Sequence, residues 1–251
     1  MSSVTVLIFH RPPSSDDGPF TRALAEVRER LLAAHEAMFV AGGAAEIRVI
    51  AEWRAGKTFG EVLANEAPAR GGLVVLSSGA VPLLRLADAQ RLVTVAGGRG
   101  RQALTNNRYS SDICAVSDAA TLHELPPLPS DNALPRWLEE RAGYTVDELA
   151  ARDRLALDLD TPLDVAIAAL ARSCPTWLRE AAQHNGFAVP RRDEIRALAA
   201  NPHGELLVFG RAGSRTLRWL ERNVRCRVRF LAEERGMRAA SPLAIGDPAA
   251  T

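Results

Sequence analysis

Leu155-Ala-Leu-Asp158-Leu-Asp160-Thr161-Pro162-Leu-Asp164 decides how this chain is read. A short apolar run ends in two carboxylates one residue apart, and Thr161-Pro162 then opens an amphipathic stretch from Leu163 to Leu170. Threonine at the N-cap and proline at the first helical position, where its missing N–H costs nothing, predict a helix beginning at Pro162. The residues before it predict a strand over 154–158. Strand side chains alternate with a period of two, which puts Asp158 and Asp160 on one side of the extended backbone. Two carboxylates at the C-terminal end of a strand can hold a hard divalent ion such as Mg2+. The same residues have a plainer use, in which Asp160 and Asp164 finish the turn and cap the helix.

Working outward, strand and helix patterns alternate along the chain. Val4–Phe9, Gly72–Ser77 and Ile113–Val116 are apolar runs suited to buried strands, and Ile47, Val49 and Ala51 mark a further strand over residues 46–51. Between them, Leu24, Val27, Leu31 and Met38 recur at helical spacing, and Pro82 to Val95 reads as a turn and helix. Asp131 opens a helix through Leu138, and Thr145-Val-Asp-Glu148 carries a capping-box pattern that predicts another. This alternation predicts a three-layer α/β/α fold around a mostly parallel sheet. Ala55-Gly-Lys-Thr58 looks like the tail of a phosphate-binding loop, but Ala51 stands where that pattern needs glycine, so a turn leading into a helix is the better reading. Gly97-Gly-Arg-Gly-Arg101 is a basic, flexible connection.

Composition bounds the rest. The 251 residues, 47% of them hydrophobic, suffice for one large domain or two small ones. Net charge is +1 but unevenly spread: residues 1–172 carry 18 basic and 22 acidic side chains, residues 173–251 carry 13 and 8. Lys57 is the only lysine. Cys114, Cys174 and Cys226 are too scattered for a disulfide framework or a zinc site. No apolar stretch is long enough to span a bilayer and the start does not read as a signal sequence, so a cytoplasmic protein is expected. The five histidines do not cluster, and only His10, at the end of the first strand, is well placed for a nucleotide edge, with a capping or solvated role accounting for it equally well.

Several segments together resemble a family. Leu157-Asp-Leu-Asp-Thr-Pro-Leu-Asp164, Ser130-Asp-Asn-Ala-Leu-Pro-Arg-Trp-Leu138, Leu104-Thr-Asn-Asn-Arg108, Gly56-Lys-Thr-Phe-Gly-Glu-Val-Leu63 and Gly72 to Leu84 are similar to segments of the GT-A-like nucleotidyltransferases, close to the MobA-like group and the 2-phospho-lactate guanylyltransferases. The resemblance covers residues 1–171, and its last motif is the specific one. It implies a nucleotide bound at the C-terminal edge of the sheet, which suits the general rule for open α/β sheets. It further implies Mg2+ on Asp158 and Asp160, Asn106 or Asn107 near the nucleotide or acceptor, a nucleoside triphosphate donor, and a small phosphorylated or carboxylated acceptor. Two positions depart from the family pattern: Ala80 stands where an aspartate precedes the proline of the central turn, and Phe20-Thr-Arg-Ala-Leu24 lacks the lysine of the first loop. Arg11 and Arg22 can partly replace that lysine, because guanidinium pairs well with phosphate oxygens. The family implies a metal-dependent transferase; the departures leave open a non-catalytic nucleotide-binding or assembly protein that kept the fold. No residue is assigned as a catalytic base.

Residues 172–251 read as a small, basic α/β appendage of unknown role. Glu205–Phe209 and 226–231 predict strands joined by a helix carrying Trp219, a residue at a core-type helical position beside Leu217 and Leu220. Gly210, Arg211, Gly213 and Ser214 lie where a strand turns into a helix, an arrangement that can aim backbone N–H groups at an anion. A tight turn with Ser214 as cap accounts for the same residues. Arg225, Arg227 and Arg229 line one strand face, solvated or paired with Glu233 and Glu234. No nucleic-acid-binding motif is present, so nucleic acid is not an expected partner.

Overall fold

The computed structural model describes residues 2–51, 56–150 and 153–233. The chain forms two compact units, Met1–Ala188 and Val189–Thr251. In the first, β1 (Val4–Phe9), β2 (Glu46–Ile50), β3 (Gly72–Ser77), β4 (Gln102–Thr105), β5 (Ile113–Val116) and β6 (Thr145–Glu148) build one sheet in the order β2-β1-β3-β5-β4-β6. Pairings β1–β2, β1–β3 and β4–β6 are parallel, and β5 runs antiparallel to both its neighbours. Strands β1 and β3 lie centrally, covered on both faces, which is why they read as unbroken apolar runs.

The helices sort to the two faces by side-chain parity. Leu7, Phe9, Leu73 and Val75 point to a core shared with α2 (Phe59–Glu66) and α4 (Leu134–Glu140). Val6, Ile8, Val74 and Leu76 point the other way, to Phe39 of α1 (Pro19–Ala41) and Leu92 of α3 (Leu86–Ala96). The result is a mixed α/β fold compatible with three α/β/α layers. Thr58 caps α2 in a reciprocal capping box with Glu61, as a turn leading into a helix requires; Ala55 lies outside the described residues.

Three local expectations are corrected. Thr145–Glu148 is strand β6, because pairing along β4 and burial of Val146 override the local capping pattern; the Glu148 carboxylate accepts from the Arg108 backbone N–H instead of closing a helix. Residues 154–158 are not a strand of the sheet. They dock on the turn after β3 through one isolated antiparallel bridge, Ala80 with Asp158. Val81 N–H donates to the Leu157 carbonyl (3.0 Å) and Leu159 N–H to the Gly79 carbonyl (2.9 Å). The boundary at 171/172 is also moved. Helices α5 (Pro162–Ala169) and α6 (Thr176–His184) share a core with Leu24, Val27 and Leu31 of α1, because Leu178, Ala181 and Ala182 bury there. The first unit therefore extends to Ala188.

In the second unit, α7 (Arg192–Ala200) precedes a parallel pair, β7 (Glu205–Arg211) and β8 (Arg227–Glu233), joined by α8 (Ser214–Asn223). Strand β7 runs two residues beyond the expected end, so Gly210 and Arg211 belong to the ladder and the turn shrinks to Ala212-Gly213. Gly213, not Ser214, is the N-cap of α8. The supposed anion cradle is thus mostly strand. Trp219 is 59% exposed rather than core. Arg229 pairs with Glu205 across the strands; the side chain of Glu233, and Glu234 entirely, lie outside the described residues.

Candidate functional site

Chain reversals at the C-terminal ends of β1 and β3 open a cleft of about 490 Å3 lined by His10, Arg11, Arg28, Ser78, Asp131, Asp158 and Asp160. Its floor is tied together locally. Ser78 N–H donates to the Phe9 carbonyl (2.8 Å), His10 N–H donates to the Ile50 carbonyl (3.0 Å), and His10 Nδ1 lies 3.0 Å from Ser78 Oγ. The turn after β3 carries unusual backbone. Val81, buried and β-branched, sits at φ 42°, a conformation such residues rarely adopt unless the surroundings enforce it. A Cβ at Gly79 would lie 2.9 Å from Asp158 Oδ1 and 3.1 Å from Arg28 Nε, so a larger residue there displaces both side chains. Buried His35 of α1 stands against the Val81 backbone, and burial pulls its pKa down to about 4.

Arg28 locks the acidic segment onto α1. Its Nε donates to the Leu159 carbonyl (2.7 Å) and its Nη2 to Asp160 Oδ1 (3.1 Å). The Asp160 side chain is 72% exposed and stays available to a ligand through its other oxygen. Asp158 is half-buried, and its Oδ1 is a buried acceptor without a hydrogen bond. Burial first, then repulsion from Asp160 and Asp112, raises the Asp158 pKa to about 7 against the pull of Arg28. Burial and Asp112 likewise raise Asp131 to about 6, although backbone N–H groups at Asp131 and Asn132 oppose the shift. Crowded carboxylates held above their ordinary range are unsatisfied as anions, and a cation between them relieves that cost.

The structure brings together Asp158, Asp160, Arg11 and His10. It does not bring Arg22, which is exposed on α1 and lines no part of the cleft. Arg28 takes that place. Its signal was legible: Arg28 falls four residues after Leu24 and three before Leu31, on the buried side of α1, where a guanidinium needs an anionic or carbonyl partner. Asn106 and Asn107 do not face the aspartates either. Asn106 is buried; its Nδ2 donates to Asp112 Oδ2 (2.6 Å) and the Leu155 carbonyl (2.8 Å), and its Oδ1 accepts from the N–H groups of Asp112 (3.0 Å) and Ile113 (3.3 Å). It builds the fold under the cleft rather than a ligand contact. Asn107 Oδ1 accepts from Tyr109 N–H. Asp112 and Asp131 were not expected beside the aspartate pair: Asp131 reads in the sequence as a helix start, and irregular segments carry both residues there.

Do these residues fit a metal ion? Among the described residues no group of three or more His, Cys, Asp or Glu side chains is placed to hold one. Asp158 and Asp160 supply two oxygen donors, one of them the orphaned buried atom. That set suits Mg2+, which keeps waters and takes substrate oxygens, and does not suit an ion held wholly by protein. Ala80, buried at the bridge to Asp158, adds nothing.

A second, apolar chamber of about 170 Å3 opens beside the cleft and shares Phe9, Ser77 and Asp131 with it. No helix of the described residues is long and apolar enough to cross a membrane.

No family model matches the chain, and no curated protein matches it. Among solved structures it is similar to Rv0371c from Mycobacterium tuberculosis H37Rv, at 19% identity over 65% of this chain and 95% of that one, with a TM-score of 0.36. A structure of Rv0371c in complex with manganese aligns at 17% identity over 59% of this chain and 87% of that one, with a TM-score of 0.32. The manganese belongs to that protein.

Proposed function

We propose that the first unit is a divergent metal-dependent nucleotidyltransferase of the GT-A-like superfamily, using Mg2+ to transfer a nucleotidyl group from a nucleoside triphosphate to a small phosphorylated or carboxylated acceptor. The observation that carries this reading is the pairing of Asp158 and Asp160 in a polar cleft at the C-terminal edge of the sheet, with Asp158 held near pKa 7 by burial and then by its acidic neighbours. Ligands of open α/β sheets bind at that edge. A divalent ion held there offsets the charge that builds on the transferring phosphate.

The chain's own residues supply the rest. Asp158 and Asp160 present oxygen donors on one side of the cleft. Arg28 fixes Asp160 and the Leu159 carbonyl, so the pair keeps its spacing as substrates come and go. Arg11, at the rim, is placed to meet triphosphate oxygens. An acceptor oxygen attacks the α-phosphorus, the new O–P bond forms, the bond to the β-phosphate oxygen breaks, and pyrophosphate leaves. A non-catalytic nucleotide-binding role is favoured by one observation: Ala80 offers no third carboxylate while Arg28 already occupies one oxygen of Asp160.

A thermal-shift screen of nucleoside triphosphates with and without Mg2+ tests the reading, because a ligand bound only by the native state raises apparent stability. Stabilisation by a triphosphate that needs Mg2+ supports it, and pyrophosphate release with an acceptor separates the enzyme from the binding protein. No response to any triphosphate with Mg2+ overturns it.

A further inference from the structure

We infer that His10 is a catalytic residue of the cleft, donating a hydrogen bond from Nε2 to the phosphate oxygens on which charge gathers as pyrophosphate leaves. The inference rests on the transferase reading of the cleft and adds to it a group that no sequence motif marks. His10 directly follows β1 and Ser78 directly follows β3, and the two strands run parallel with Phe9 opposite Ser77. The backbone is pinned at both residues, His10 N–H donating to the Ile50 carbonyl and Ser78 N–H to the Phe9 carbonyl. The ring is pinned as well, since its Nδ1 lies 3.0 Å from Ser78 Oγ. Nε2 is then the ring nitrogen without a partner among the described residues, and the residue lines the cleft.

A triphosphate entering this cleft meets few donors. Asp131, Asp158 and Asp160 bring carboxylates to the lining, and Arg28 is committed to the Leu159 carbonyl and Asp160, which leaves Arg11 as the guanidinium of the described lining that can turn to phosphate. Ser78 decides what the imidazole adds. A hydroxyl can give or accept a hydrogen bond, and a neutral imidazole carries its proton on one nitrogen only. With the hydroxyl donating to Nδ1, the neutral ring holds its proton on Nε2. In the doubly protonated ring Nδ1–H donates to the hydroxyl, and Nε2 again holds a proton. The third form, with a bare lone pair on Nε2, is repelled by phosphate oxygens, so an anionic ligand selects the two donor forms. As the bond to the β-phosphate oxygen breaks, negative charge grows on the leaving pyrophosphate, and a fixed N–H aimed at it stabilises the transition state more than the ground state. The step transfers no proton. Ser78 acts through the ring and is a positioning residue.

The test titrates the full chain by calorimetry with ATP, CTP, GTP and UTP in turn, and with inorganic pyrophosphate, each with Mg2+. The imidazole nitrogens of histidine-labelled protein are followed by NMR, the His10 signals being those that vanish in His10→Gln. At saturation with the triphosphate that binds, and with pyrophosphate, the Nε2 signal is expected to move and to remain that of a protonated nitrogen. His10→Leu, which removes the donor, should weaken both ligands about tenfold or more, the scale of one hydrogen bond to a charged oxygen. His10→Gln, whose amide offers a neutral N–H, should keep most of the affinity. Ser78→Ala should weaken pyrophosphate in the wild type and add nothing to His10→Leu, a coupling that a role in packing alone would not give. Should His10→Leu fail to fold, the wild-type NMR decides: an Nε2 that is unprotonated or unmoved at saturation overturns the inference. Pyrophosphate binding that is absent, or equal in His10→Leu and the wild type, or lost equally in His10→Leu and His10→Gln, also overturns it, while triphosphate binding keeps the transferase reading intact. A wild type that binds none of the four triphosphates overturns the transferase reading itself.

Discussion

Replacing Asp158 by asparagine should stabilise the metal-free protein at alkaline pH. The Asp158 carboxyl is half-buried and surrounded by Asp160, Asp112 and Asp131, with Arg28 as the opposing charge, and its pKa rises from 3.8 to about 7. As pH climbs above 3.8 the unfolded chain gives up this proton while the folded protein keeps it until about 7, so folding stability falls across that window and stays low above it. The whole effect is at most about 4 kcal/mol, and about 2 kcal/mol is expected once solvent screening of the partly exposed group is allowed for. An amide of the same shape carries no charge and escapes that cost. Urea unfolding of both proteins, in chelator at pH 4, 6 and 8, gives the comparison. The two should be nearly equally stable at pH 4, and the variant should lead by a margin that widens up to about pH 7. A variant that is less stable at pH 8, or a difference that does not change with pH, would refute the account of a crowded carboxylate waiting for a cation.

Further outcomes follow from the same geometry. Gly79→Ala should cost about 1–3 kcal/mol and weaken Mg2+-dependent nucleotide binding, since the added methyl meets Asp158 Oδ1 at 2.9 Å; wild-type affinity in a folded variant would contradict this. Asn106→Ala strands two backbone N–H groups and the Leu155 carbonyl, so it should cost roughly 2–4 kcal/mol by denaturant unfolding, a loss a surface ligand contact would not produce. His35, neutral in the fold with a pKa of about 4, contributes stability that is complete above pH 6.5 and lost as pH falls toward 4. That loss, on the order of 3 kcal/mol, should vanish from the pH–stability curve of His35→Leu.

Much of the architecture was legible because it depended on local pattern. Strands β1, β3 and β5 announced themselves as apolar runs and β2 by Ile47 and Val49 two residues apart, and the helix after Thr161 begins at Pro162 with Asp164 closing the capping box. What escaped was decided over distance. Thr145–Glu148 looks like a helix start until β4, some forty residues earlier, pairs with it. The run before Asp158 looks like a sheet strand, yet its backbone partners are supplied by the turn at Gly79–Val81. At the site, the aspartate pair was readable from a motif of ten residues. Asp112 and Asp131 were not, since their places depend on the Asn106 brace and a short 3-10 turn at Asp131–Ala133. Arg22 was chosen for its neighbours in sequence, whereas Arg28 is the arginine that the buried side of α1 delivers to the cleft.

The central claim is that Asp158 and Asp160 together bind a triphosphate through a divalent ion. Isothermal calorimetry of nucleoside triphosphate with Mg2+ into the wild type, Asp158→Ala and Asp160→Ala tests it most directly. The account predicts binding by the wild type that disappears without Mg2+ and in either variant, while unfolding curves show both variants folded. Unchanged nucleotide affinity in both variants would contradict it and leave the two aspartates with a role in the turn before α5 alone.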